Sequence, residues 1–176
     1  FTRGSAAGAH LTAGARKVML STTSADMPLL IYGFNNHLLT GAVDMLAPGG
    51  CMTNCSTHIL NLLSRIGIES AQINILHSYT SRQELVDAPH SQRRRGRAAA
   101  ESIIPVEIDL ADSLERLMPA LKGRIAAVST RVPVANGAMA DFTVQLSTVT
   151  TPAAINELFR DASAQKYKGI LEYTEE

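Results

Sequence analysis

Pro48-Gly49-Gly50, followed at once by Cys51, constrains this chain more than any other segment. Proline and paired glycines interrupt regular structure, so the backbone must turn there. Beyond the turn, Cys55, Ile59, Leu62, Leu63 and Ile66 recur at helical spacing, which predicts a helix with Cys51 at or near its N-terminus. Free N–H groups and the helix dipole favour an anion at that end, so a cysteine placed there suits nucleophilic chemistry. Gly49 and Gly50 carry no Cβ and would let a substrate carbon approach the sulfur. A buried, inert thiol is the plainer alternative, and Cys55, inside the apolar stripe, fits it better than Cys51. Cys51, Cys55 and His58 also share one helical face, but zinc centres usually take four ligands at tighter spacings and no fourth is evident.

With 176 residues the chain can bury the core of one ordinary domain. Sixteen basic residues balance sixteen acidic ones, so no net field recruits nucleic acid or a membrane surface. Two cysteines four positions apart on a helix make no disulfide framework, which points to a reducing, cytoplasmic setting. No apolar run reaches membrane-spanning length, and nothing reads as a signal peptide. The chain opens at Phe1, and Ile170 to Glu176 reads as an interrupted strand; both features suggest a fragment of a longer protein.

Ala6 to Gly14 reads as the end of a helix, Lys17–Ser21 as a short buried strand and Leu29–Gly33 as a second strand. Thr22 to Asp26 is a polar loop, Asn35 to Gly41 is turn-rich, and Gly67 is placed to close the cysteine helix. Ala71, Ile73, Ile75, His77 and Tyr79 alternate with polar neighbours, so His77 ends a strand on the isoleucine face. A loop to about Ser102 carries Arg82, Arg93, Arg94, Arg95 and Arg97. A charge run is most often a solvated face, and no aromatic residues interleave here to stack bases. Near a catalytic cysteine such arginines suit a phosphorylated substrate. Asp112 is expected to cap a helix buried through Leu114, Leu117, Met118 and Leu121, with Gly123 at its end. Ile125–Val132 forms a strand, and Phe142, Val144 and Leu146 alternate with polar residues as in an antiparallel sheet. Thr151-Pro152 begins a last helix striped by Ile155, Leu158, Phe159 and Ala162. The element order predicts an α+β domain, a mostly antiparallel sheet with packed helices.

Cys51-Met52-Thr53-Asn54-Cys55 resembles the Ser-Cys-Thr-Thr-Asn-Cys motif of glyceraldehyde-3-phosphate dehydrogenases. His77-Ser78-Tyr79-Thr80, the run from Arg94 to Pro105, Arg131-Val132-Pro133 and Lys168 to Glu175 then follow in that family's order. The resemblance covers the whole chain and about half of a family member. It implies that residues 1–49 end a Rossmann-type α/β NAD-binding domain and that 50–176 form an incomplete catalytic domain.

By the same resemblance, Cys51 attacks an aldehyde to give a hemithioacetal, and His77 takes the hydroxyl proton as a thioester forms. The plainer reading of His77 is a core histidine satisfied by the backbone. Thr80 and Arg131 match positions that hold the phosphate of a phosphorylated aldehyde, and Arg94 is a further substrate-side candidate. Ser21 and Thr22 are implied to face the nicotinamide cofactor, NAD or NADP, and the whole protein to be a homotetramer. The family's second anion site uses hydroxyls and a Thr-Gly pair where this chain has Gly50, Met52 and Ile108-Asp109. Arg82 replaces an aspartate that usually follows the phosphate-binding threonine. Three readings follow: a phosphorylating dehydrogenase; a divergent paralogue acting on erythrose 4-phosphate or another aldehyde and clearing its thioester with water; a non-catalytic paralogue binding nucleotide or RNA. A Cys-His hydrolase would use the same nucleophile and base without nicotinamide.

Overall fold

The computed structural model describes residues 3–175. They divide into two units, one formed by the chain up to Gly67 together with Leu146 onward, the other by Ile68–Gln145. Six α-helices, two short 3-10 helices and six strands occur among the described residues.

The first unit begins with two single turns of helix, α1 (Gly4–Ala7) and α2 (Ala9–Thr12). Two short strands follow, β1 (Val18–Met19) and β2 (Met45–Leu46), paired in parallel as Val18 with Met45 and Met19 with Leu46. The expected buried strand at Lys17–Ser21 is thus only two residues long, and Met19 is 55% exposed. The second expected strand, Leu29–Gly33, reduces to a bridge between Leu29 and Ala47. Asn35 explains the loss. Its side chain accepts from the Ile31 amide at 2.7 Å and donates to the Leu29 carbonyl at 2.8 Å, closing a turn where the strand would have continued. Met27, Leu29, Leu30, Ile31, Leu46 and Ala47 are buried there. A short helix, α3 (His37–Thr40), leads toward β2.

The helix after the Pro-Gly-Gly turn is α4 (Cys51–Leu63), starting at the cysteine. Its buried side differs from the anticipated stripe: Cys55 is exposed, while Thr53, Ser56, Thr57 and His58 are buried beside Leu60, Leu62 and Leu63. Small side chains let this face pack closely; Thr57 Oγ1 donates to the Thr53 carbonyl at 2.6 Å, whereas the buried Ser56 Oγ makes no hydrogen bond among the described residues. Gly67 closes the segment with φ of +97°, and a Cβ there would lie 2.0 Å from Ser147 Oγ, so glycine is required twice over. The unit ends with α6 (Pro152–Ala164), capped by Thr151 Oγ1, which accepts from the Ala154 amide at 3.2 Å. Leu158, Phe159 and Ala162 of α6 pack with Leu62, Tyr167 and Leu171. Residues 170–175 form no strand, contrary to expectation.

The second unit is built on a four-stranded mixed sheet in the order β4-β5-β3-β6. Its strands are β3 (Ile68–Ser78), β4 (Ile104–Val106), β5 (Ile125–Val132) and β6 (Ala138–Leu146). β4 runs antiparallel to β5. Ser78 donates to the Gly137 carbonyl at one end of the β3–β6 pair, and Gln145 donates to Glu69 at the other, so these strands are antiparallel as well. The central pair, β3 with β5, is parallel from Ala71–Ile125 to Ser78–Val132. Ala71, Ile73 and Ile75 are buried, and Leu110, Leu114, Leu121 and Ile104 are buried in the same unit. The helix expected to be capped by Asp112 is α5 (Leu110–Leu117), with Asp109 at the N-cap and Asp112 in the first turn. It stops at Met118, one residue before Pro119, and Leu121 is buried from a separate turn of 3-10 helix. No helix among the described residues is long and apolar enough to cross a membrane.

Tyr167 is fully buried, and Asn61 Nδ2 donates to its hydroxyl at 2.6 Å. Tyr167→Phe keeps the ring and is expected to cost about 0.5–1.5 kcal/mol by urea denaturation, whereas Tyr167→Ala should cost about 3–5 kcal/mol. His58 packs on the same ring, centroid to centroid 4.9 Å. Burial lowers its pKa from 6.5, with a backbone hydrogen bond at Tyr32 opposing and Lys166 assisting. The folded ring therefore stays neutral where the unfolded one takes a proton. Stability should decline as pH falls below about 6.5, by at most about 1.4 kcal/mol per pH unit from this group, and His58→Gln should remove that component from the denaturation profile.

Candidate active site

Cys51 opens α4 and is exposed. The turn that presents it depends on Gly49, whose φ of +71° is unfavourable for any residue with a Cβ. The N-cap, Gly50, has no side chain to satisfy the first amides. Asn54 secures this end by another route: its Nδ2 donates to the carbonyls of Pro48 and Gly50, at 2.8 and 2.9 Å. Its role was absent from the sequence reading, although an amide in the first turn of a helix lacking a capping side chain was the available signal. Cys55, one turn on, is exposed over much of its surface, yet its sulfur is crowded enough that burial pushes the thiol up, with Cys51 a lesser cause. The thiolate is the reactive form, so Cys55 is a poorer nucleophile at neutral pH than an unhindered cysteine.

Ser21 is exposed and Thr22 half-buried, on the loop after β1. The next residue, Thr23, lies against the cysteine turn, and a Cβ on Gly50 would sit 3.3 Å from Thr23 Cγ2. Among the described residues no group of three or more His, Cys, Asp or Glu is disposed to hold a metal ion. His58 turns into the interior while Cys51 and Cys55 are exposed.

In the second unit, His77 stands one residue before the end of β3, opposite Arg131 of β5 in the parallel register. Their side chains meet: Arg131 Nη1 contacts His77 Nδ1 and donates to the Ser78 carbonyl at 2.9 Å. Thr80 follows at the strand end, half-buried; its amide donates to Gln83 Oε1 at 3.3 Å and its Oγ1 accepts from the Arg82 amide at 3.4 Å. His77 and Arg131 thus fall on one pair of strand ends, with Thr80 three residues beyond His77 in the chain.

Arg94 lies elsewhere, in a turn of 3-10 helix at Arg93–Gly96. This turn folds back on the preceding loop: Glu84 N–H donates to the Arg95 carbonyl and Ala88 N–H to the Gly96 carbonyl, at 3.0 and 2.9 Å. A Cβ on Gly96 would be 2.3 Å from the Ala88 oxygen, so the two runs close only around glycine. Arg93, Arg94 and Arg95 with Pro105, Val106 and Glu107 line a cavity of about 300 Å³ whose walls do not include His77, Thr80 or Arg131. Ile108 is half-buried, and Asp109 is exposed at the head of α5.

Residues 50–176 match the family described as "Glyceraldehyde 3-phosphate dehydrogenase, C-terminal domain". The glyceraldehyde-3-phosphate dehydrogenase of Mycobacterium leprae is 35% identical over 177 residues, covering 99% of this chain and 52% of that protein. Glyceraldehyde-3-phosphate dehydrogenase B of Aspergillus oryzae is 36% identical over 178 residues, covering 100% of this chain and 53% of its own length. A Mycobacterium bovis glyceraldehyde-3-phosphate dehydrogenase is 36% identical over 175 residues, 98% of this chain and 52% of that one. The chain therefore spans about half the length of these curated relatives. With the match running through the cysteine helix, the His77–Arg131 strand pair and the final helix, the chain belongs to the glyceraldehyde-3-phosphate dehydrogenase family.

Proposed function

We propose that the whole protein of which this chain is part oxidises a phosphorylated aldehyde, of the glyceraldehyde 3-phosphate kind, with NAD or NADP. The observation that carries this reading is a family match extending through every segment that bears a candidate residue. In this reading the Cys51 sulfur attacks the aldehyde carbon and forms a hemithioacetal. His77 then takes the hydroxyl proton as the carbon–hydrogen bond breaks, leaving an acyl thioester on Cys51. A bound nicotinamide supplies the acceptor for the departing hydride. The free N–H groups at the start of α4 are suited to stabilising the developing oxyanion. Arg131 and Thr80 hold the substrate phosphate, the guanidinium by paired, charge-assisted hydrogen bonds, and Arg94 contributes charge on the substrate side.

Residues 1–49 are, in this reading, the end of the NAD-binding domain and 50–176 most of the catalytic domain. Ser21 and Thr22 then border the cofactor, and the Gly49–Gly50 turn leaves room beside Thr23 that a side chain would fill. Assembly as a homotetramer in the cytoplasm completes the proposal.

A second reading concerns how the thioester is cleared. At the positions that the family resemblance assigns to the attacking anion, Gly50, Met52 and Ile108 offer no hydroxyl and Asp109 carries a carboxylate. Water is then the favoured nucleophile. Steady-state NADH formation by the full-length protein tests both points. Cys51→Ala should abolish turnover, and His77→Asn should lower kcat by about 10²–10⁴-fold. With the aldehyde saturating, so that it outcompetes inorganic phosphate at Arg131, adding inorganic phosphate should leave the wild-type rate nearly unchanged; a steep, saturable rise would remove the second reading, and full activity in Cys51→Ala would remove the first.

A further inference from the structure

The contact between His77 and Arg131 has a polarity that follows from the groups themselves. The parallel register sets the two residues side by side on adjacent strands. Arg131 Nη1 reaches both His77 Nδ1 and the Ser78 carbonyl oxygen, the latter at 2.9 Å. His77 Nδ1 is itself 2.7 Å from that same carbonyl oxygen. A guanidinium nitrogen can only donate, and a carbonyl oxygen can only accept. Nδ1 therefore answers to one neighbour or the other. It accepts if Arg131 is docked and donates if the Ser78 carbonyl takes its place. The Ser78 hydroxyl, 3.4 Å from Nδ1 and buried, suits either state because it both donates and accepts.

We propose that Arg131 is a positioning residue that sets the tautomer of His77, and that a phosphate dianion drawn onto Arg131 switches it. With Arg131 docked, Nδ1 is the acceptor and the neutral ring carries its proton on Nε2, the form that donates from Nε2. A phosphate dianion competes for the same guanidinium face with stronger, charge-assisted bonds. Once Nη1 turns to the anion, Nδ1 is left facing the Ser78 carbonyl and becomes the N–H donor. Nε2 then presents a lone pair, which is what a general base needs. The exchange is balanced: Nε2 releases one proton to water, Nδ1 takes one from water, and the ring charge is unchanged. Resting on the dehydrogenase reading in this respect, the anion is the substrate's own phosphate, and an aldehyde without it meets a histidine in the wrong tautomer. Specificity for a phosphorylated substrate then enters the proton-transfer step as well as binding.

The test is a long-range proton–nitrogen correlation spectrum of the full-length protein labelled with ¹⁵N-histidine, at about pH 8.5, above the ordinary range of histidine titration. The His77 signal is identified by its loss in His77→Asn, and inorganic phosphate is titrated in at constant ionic strength. Without phosphate, His77 should show a protonated Nε2 and an unprotonated Nδ1; at saturation the two shifts should exchange. Arg131→Met should show the protonated Nδ1 from the start and no response to phosphate. The wild-type titration decides the matter alone if that variant does not fold. A protonated Nδ1 in phosphate-free wild type, or an unprotonated one that persists at saturation, overturns the proposal. Because no aldehyde is present, a protein that switches tautomer yet forms no NADH would keep this inference and lose the dehydrogenase reading.

Discussion

The parallel pairing of β3 with β5 is the constraint from which the second unit follows. Because side chains alternate across a strand, a slip of one residue would turn Ile73 and Ile75 to solvent and bring Gln72 and Asn74 inside. Burial of Ala71, Ile73 and Ile75 thus fixes the register, and the register fixes which residues meet at the strand ends. His77 and Arg131 are partners in it, 54 positions apart in the chain. The apolar middle of the sheet therefore sets the polar geometry at its end.

In the first unit the corresponding element is the start of α4. A helix needs its first amides and the preceding turn secured, and Gly50 offers nothing for that purpose. Asn54 ties the turn to the helix from inside the first turn, and Gly49 supplies the left-handed backbone that only glycine adopts cheaply. The buried side of α4 is correspondingly close-fitting, made of Thr53, Ser56 and Thr57. Bulkier side chains there would push the helix off its neighbours. An exposed Cys51 is thus held by a well-fixed support, while burial raises the pKa of the Cys55 thiol one turn on.

Much of this was legible in the residues because local pattern and tertiary role agree. Ile125–Val132 and Pro152–Ala164 occur where their alternation and stripe place them. The misreadings share a cause: partners distant in sequence outweigh local preference. Leu29–Gly33 has strand-forming residues, but the side chain of Asn35 bends it into a turn. Met45–Leu46 is too short to register as a strand and exists through its parallel partner Val18–Met19. His58, weighed in the sequence only as a metal ligand beside Cys51 and Cys55, is buried because Tyr167 from beyond α6 covers it. Parallel and antiparallel strands show the same alternation when one face is wet, so the mixed character of the sheet could not be read locally. For the same reason Cys51, His77 and Arg131 each stood out individually, while the His77–Arg131 contact did not.

The proposed chemistry requires Cys51 to carry the acyl group of an aldehyde. Its most direct test is to mix the full-length protein with glyceraldehyde 3-phosphate and one equivalent of NAD, without inorganic phosphate, and to quench the mixture in acid within one turnover. Mass spectrometry with fragment sequencing then locates any adduct. NADH should be matched by one acyl increment on Cys51, removable by hydroxylamine as a thioester should be. NADH formed with the increment on Cys55, or with no acyl increment on the protein at all, would contradict that chemistry.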